Sequence, residues 1–146
     1  MNIVMSHDSE SDQPWMGISS PNESLRFCVL QDQQIGIEFR GESYSRDAVM
    51  TLRAEILLDS TDFLGELRKV DETLAGEARL GSIPPGEFEL LIAAGTRGRI
   101  KMTATIGRYQ HDETGFHYRV TQNFEFDQTY LREFRTAWRD AIQERL

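Results

Sequence analysis

A lone cysteine, Cys28, leaves no second thiol for an internal disulfide. No basic-then-apolar leader is legible at the N-terminus, and no apolar run approaches the ~18 residues of a membrane-spanning helix, so a cytosolic protein is expected. Asn22-Glu23-Ser24 has the spacing of a glycosylation acceptor, but nothing else points to secretion. Positive charge is scarce: 16 Lys and Arg stand against 24 Asp and Glu, a formal net charge of −8. That balance repels nucleic acid and anionic membrane surfaces and favours a basic protein partner. Also missing are a Walker loop, a dinucleotide-binding glycine fingerprint and a Gly-x-Ser-x-Gly turn. The expectation is therefore a non-enzymatic protein without catalytic residues, cofactor or metal.

What is there is ordinary for a globular protein: 146 residues, 39% hydrophobic, enough for one domain with its own core. The charge is uneven along the chain. Residues 1–89 hold 17 acids and 7 bases, whereas 90–146 hold 7 acids and 9 bases. Residues 1–23, polar, acidic and interrupted by Pro14, read as a flexible arm whose Trp15, Met16 and Ile18 can dock on the domain formed by 24–146.

Within that domain the hydrophobic period marks the elements. Leu25, Phe27 and Val29 alternate with polar or small neighbours, as do Ile35, Ile37 and Phe39, with Gln31–Gln34 as a hairpin loop between. Met50, Leu52, Ala54, Ile56 and Leu58 keep strict period two. Phe63, Leu67, Val70 and Leu74 then recur at helical spacing, with Ser60 or Thr61 available as a cap, Asp62 at the positive end of the dipole, and Gly76 to end the helix. Gly65 inside that helix costs about 1 kcal/mol relative to alanine. Glu77–Leu80 reads as a short strand, and Ser82-Ile83-Pro84-Pro85-Gly86 cannot be a central one. Strands follow at Phe88–Ile92 and from Ile100 to about Tyr109, and Asp112–Gly115 forms a hairpin tip. Phe116, Tyr118, Val120, Gln122, Phe124 and Phe126 share one face of a long strand. It runs into a helix that Asp127 can cap and that carries Leu131, Phe134, Trp138, Ala141 and Ile142 on one side. The fold class is α+β: a mainly antiparallel sheet of about six strands with two amphipathic helices packed on one face.

Few side chains point to chemistry. His111 and His117 flank a hairpin tip near Asp112 and Glu113, and if Tyr109 lies opposite His117 they are diagonal neighbours; no third metal ligand is fixed by spacing, so a solvated turn is expected. Cys28 on a strand reads as a small packing residue, and Glu87 with Glu89 as a solvated pair. Gly95-Thr96-Arg97-Gly98-Arg99 reads as a primed hairpin turn with solvated arginines. Clustered charge is the clearest signal. Asp59, Asp62 and Glu66 follow i, i+3, i+7, and Asp71 and Glu72 extend the acidity past Arg68 and Lys69. The choice is between a solvated helix face and an acidic docking surface, where charge speeds association and selects partners.

Three features resemble small bacterial proteins that include the WapI-type immunity proteins of contact-dependent toxin systems. They are the alternating strand Met50–Leu58 leading into Asp62-Phe63-Leu64-Gly65-Glu66-Leu67; Gly98-x-Ile100-x-Met102 before an aromatic-rich strand; and Phe124-Glu125-Phe126-Asp127-Gln128-Thr129-Tyr130-Leu131 opening a final helix. The resemblance covers most of 24–146 and implies a cytosolic antidote that binds a toxin domain; a monomer or homodimer that occludes the toxin through its acidic surface is expected. It offers no catalytic residues. The alternative is a small-ligand-binding protein or enzyme with a pocket between sheet and helices, marked by Gln122 on an otherwise apolar face.

Overall fold

Alternation in the sequence becomes strands, and the shift to a 3.6-residue period becomes helices. In the computed structural model, β1 (Asn2–His7), β2 (Pro14–Ser19), β3 (Glu23–Gln31), β4 (Gln34–Glu42) and β5 (Val49–Leu57) lead into α1 (Phe63–Thr73). Then come β6 (Glu77–Gly81), β7 (Phe88–Ala94), β8 (Ile100–Gln110), β9 (Gly115–Phe126) and α2 (Gln128–Ala141). The structure describes residues 1–7, 13–43, 48–59, 62–110 and 115–146, without the side chains of His7, 108–110 and 115–117.

The fold is α+β, but the expected sheet of about six strands is replaced by two antiparallel sheets, ordered β1-β2-β3-β4-β5 and β6-β7-β8-β9. The strands after α1 pair with one another in hairpin order, so the ladder starts afresh. The described chain divides into two compact units, 1–55 with 129–146, and 56–128. Part of the difference comes from residues 1–23, where an arm was expected. Met16 pairs with Phe27 and Ile18 with Leu25. Met16 and Ile18 are thus interior strand residues, 0% and 1% exposed, in an alternation too short to stand out in sequence.

In the first unit, Leu25, Phe27, Ile35, Ile37 and Phe39 join Met16 and Ile18 on the interior face of the sheet. Leu131, Phe134, Trp138 and Ala141 of α2 and Ile142 just past its end are buried, as their spacing predicts, while Arg132, Glu133, Thr136, Asp140 and Gln143 are exposed. Trp138 meets Phe27 edge-on, centroids 5.3 Å apart at 76°, and stacks on Phe134 at 6.1 Å. Such pairs add about 0.5–1.5 kcal/mol beyond the area they bury.

In the second unit, Phe63, Leu67 and Val70 of α1 are buried together with Ala78, Leu80, Phe88, Leu90, Ile92, Ile100, Met102, Ala104, Phe124 and Phe126 of its sheet. Asp62 is the N-cap: its carboxylate accepts the Gly65 N–H at 3.2 Å. Ser60 and Thr61, the expected caps, lie outside the described residues. A Cβ at Gly65 would sit 2.6 Å from Asp62 Cγ, so the glycine that weakens the helix makes room for its cap. The helix ends two residues before Gly76, at Leu74 in the left-handed conformation (φ 51°).

Ser82 replaces the ladder where the prolines break it: its hydroxyl accepts the Phe88 N–H at 3.0 Å and donates to the Pro84 carbonyl at 2.5 Å. Arg97 (φ 58°) and Gly98 (φ 73°) form a primed turn closed by Arg99 N–H on the Thr96 carbonyl at 3.2 Å. β8 and β9 pair through Ile106↔Val120 and Arg108↔Tyr118, after which a bulge sets Tyr109 opposite Phe116 instead of His117. Among the described residues no helix is long and apolar enough to cross a membrane.

Candidate functional site

The acidic residues singled out by spacing do not form one free stripe. Asp59 precedes α1; its N–H bonds the Gly81 carbonyl at 2.9 Å and its side chain is exposed. Asp62 is the helix cap. Glu66 turns to β6, where its carboxylate accepts the Arg79 N–H at 3.2 Å. Asp71 does not extend the exposed acidity at all: it is 5% exposed, and the Gln128 amide donates to its carboxylate at 3.1 Å. Glu72 pairs with Arg68 one turn away, Nε–Oε1 2.9 Å, both side chains exposed. Arg79 lies between Glu77 and Glu89, at 3.3 and 3.6 Å. Such pairs contribute about 0–1 kcal/mol, so their carboxylates remain available to a partner. The α1–β6 surface carries Asp59, Asp62, Glu66, Glu72 and Glu77, with Glu89 of β7 beside Arg79, against Arg68, Lys69 and Arg79.

The charge asymmetry along the sequence disappears in the fold. Each unit holds 12 acids and 8 bases, so each carries −4.

A second cluster lies on the outer face of the first sheet. Arg26 on β3 is directly across from Glu38 on β4. Its Nε and Nη2 donate to the two Glu38 oxygens at 2.8 and 3.1 Å, and Arg53 Nε on β5 donates to Oε2 at 2.6 Å. The Arg26 guanidinium stacks over the Trp15 ring, 4.5 Å from its centroid. Glu38 is 6% exposed, an unusual place for a carboxylate. Burial pushes its carboxyl up, but the hydrogen bonds and positive charge of Arg26 and Arg53 outweigh that and hold it below the ordinary glutamate range. It is ionised at neutral pH, and two guanidiniums share one carboxylate.

Trp15 borders two cavities on this face. One, about 250 Å³, includes Arg26, Glu38, Ser24 and Gly17 in its lining. The other, about 320 Å³, is lined by Trp15, Leu30, Gly36, Ile37, Arg53, Ala54 and Glu55. Gly17 allows β2 to approach β3 closely: a Cβ there would lie 2.7 Å from the Arg26 Cα. Elsewhere in this unit, Ile3 and Met5 border a cavity of about 430 Å³ against Arg132, Glu133 and Asp140.

Gln122 is buried opposite Ala104 and lines none of these cavities. His111, Asp112 and Glu113, and the side chain of His117, lie outside the described residues. Cys28 is fully buried opposite Gly36. The sequence came within one residue of the Arg26–Glu38 pair: counting back from the Gln31–Gln34 hairpin sets 26 against 39, and the bulge after Val29 shifts the partner to 38. Nothing in the sequence pairs Trp15 or Arg53 with them.

No family model matches the chain, and no curated protein or solved structure gives a significant match.

Proposed function

We propose that this protein is a non-enzymatic, cytosolic binding protein of the immunity type, which occludes a toxin domain through an acidic surface. The observation that carries the reading is the net charge of −8, spread as −4 over each unit and concentrated on the α1–β6 surface of the second. A basic partner meets an attractive field from either unit, and such a field raises association rates and disfavours like-charged competitors. The resemblance to WapI-type immunity proteins supports the same reading from the strand and helix motifs.

The geometry selects the residues for the test. Asp62 and Glu66 support the fold, so reversing them confounds binding with stability. Asp59, Glu72 and Glu77 are exposed and make no buried contact. The triple variant Asp59→Lys, Glu72→Lys, Glu77→Lys should fold normally and bind the toxin domain that this reading requires at least about tenfold more weakly in calorimetry, more so at low salt. Unchanged affinity with an unchanged salt slope would remove the acidic surface from the mechanism.

A further inference from the structure

We infer that the outer face of the first sheet holds a site for a compact organic monocarboxylate, with Arg53 taking the acid group and Trp15 and Leu30 flanking an apolar body. The site does not depend on the immunity reading.

A guanidinium has five N–H donors in a fixed fork. Arg53 commits one, Nε, to Glu38, and among the described residues the rest of its fork has no protein acceptor. Its side chain is 72% exposed. Arg26, by contrast, is 34% exposed, uses Nε and Nη2 on Glu38 and stacks on Trp15. Arg53 is therefore the donor left for a ligand, and Glu38 is the positioning residue that fixes it. Burying a carboxylate between two guanidiniums does little for stability compared with an apolar pair of the same volume. It does fix the two forks in place and leaves one unit of positive charge in the cluster, in a protein whose net charge is −8.

The cavity beside Arg53 sets the rest of the ligand. Its apolar walls on this face are the Trp15 indole and Leu30, while Ile37 and Ala54 border it from strand positions whose side chains face the interior, and Gly36 lies beneath Leu30, whose Cδ2 would be 3.6 Å from a Cβ there. About 320 Å³ is near the lower end of small-molecule sites, so the body is compact. Glu55 shares the rim and opposes a second negative charge, which disfavours a phosphate dianion. One carboxylate on a small ring or branched chain satisfies all of these features.

The test is a titration of the whole protein, followed by ¹H–¹⁵N spectra, with benzoate, acetate and inorganic phosphate as probes. Benzoate should move the Trp15 indole signal saturably while the buried Trp138 indole stays still. Arg53→Gln, exposed and so expected to fold, should raise the midpoint about tenfold, the scale of one charge-assisted contact. Glu38→Gln should raise it to a smaller extent, and Arg99→Gln in the other unit should leave it unchanged. Acetate and phosphate should bind more weakly than benzoate. A benzoate response that never saturates overturns the site. So do equal midpoints for wild type and Arg53→Gln, or equal responses to all three anions.

Discussion

Gln128 donates its side-chain amide to two acceptors on one residue, the Asp71 carbonyl at 2.8 Å and the Asp71 carboxylate at 3.1 Å. The bond joins positions 57 residues apart and explains why an aspartate is buried in α1. Gln128→Ala withdraws both bonds from a buried polar group and should cost about 1–3 kcal/mol. Urea unfolding followed by circular dichroism measures this directly. A change under about 0.5 kcal/mol, the usual range of surface substitutions, would show that Asp71 does not rely on Gln128.

The Glu38 carboxyl gives stability a specific acid dependence. Its folded value is depressed, so its contribution is fully present above the ordinary glutamate value of about 4.3 and is lost as pH falls to and through the folded value. Glu38→Gln should be less stable than wild type at pH 7 and show a shallower loss below about pH 4.3. Parallel wild-type and variant curves in guanidinium denaturation across that window would contradict the assignment.

The Asp62–Gly65 cap predicts a non-additive pair. Asp62→Ala alone should cost about 0.5–2 kcal/mol. Gly65→Ala alone should gain little, because the new methyl displaces the capping carboxylate and offsets the roughly 1 kcal/mol of helix propensity. In the Asp62→Ala background the same glycine substitution should stabilise by that full amount. A double-mutant cycle by thermal unfolding reads the coupling, and additivity within about 0.3–0.5 kcal/mol would refute it.

Gly17→Ala should be among the more damaging small changes in the first sheet. The methyl meets the backbone of β3, which has no rotamer with which to move away. A loss of about 1–3 kcal/mol is expected, with amide exchange speeding up first in β1 and β2. Unchanged protection there would mean that the β2–β3 spacing adapts.

How far the sequence could be read depended on the range of the interaction. α2 was fully legible because Leu131, Phe134, Trp138, Ala141 and Ile142 repeat over three turns, and every one of them is buried. β2 was not, because Met16 and Ile18 offer only two alternating positions beside an acidic stretch. The division into two sheets was invisible, since period two says which face is buried and not which strand lies alongside. The acidic residues were legible as a cluster but not as individuals. Spacing put Asp71 with Asp59 and Glu72, whereas a long-range partner, Gln128, takes it into the interior. The Trp15–Arg26–Glu38–Arg53 cluster needs three strand registers at once, and only the β3–β4 hairpin supplied one.

The first unit is discontinuous along the chain: five strands come from residues 1–55 and its helix from 129–146. During synthesis the whole sheet leaves the ribosome before the segment that covers Phe27 exists. At about 5–20 residues per second, that apolar underside waits several seconds for its cover. Chaperone dependence in the cell should therefore track the Phe27 face, and a stop codon just before Thr129 should release chains that aggregate rather than a usable first unit.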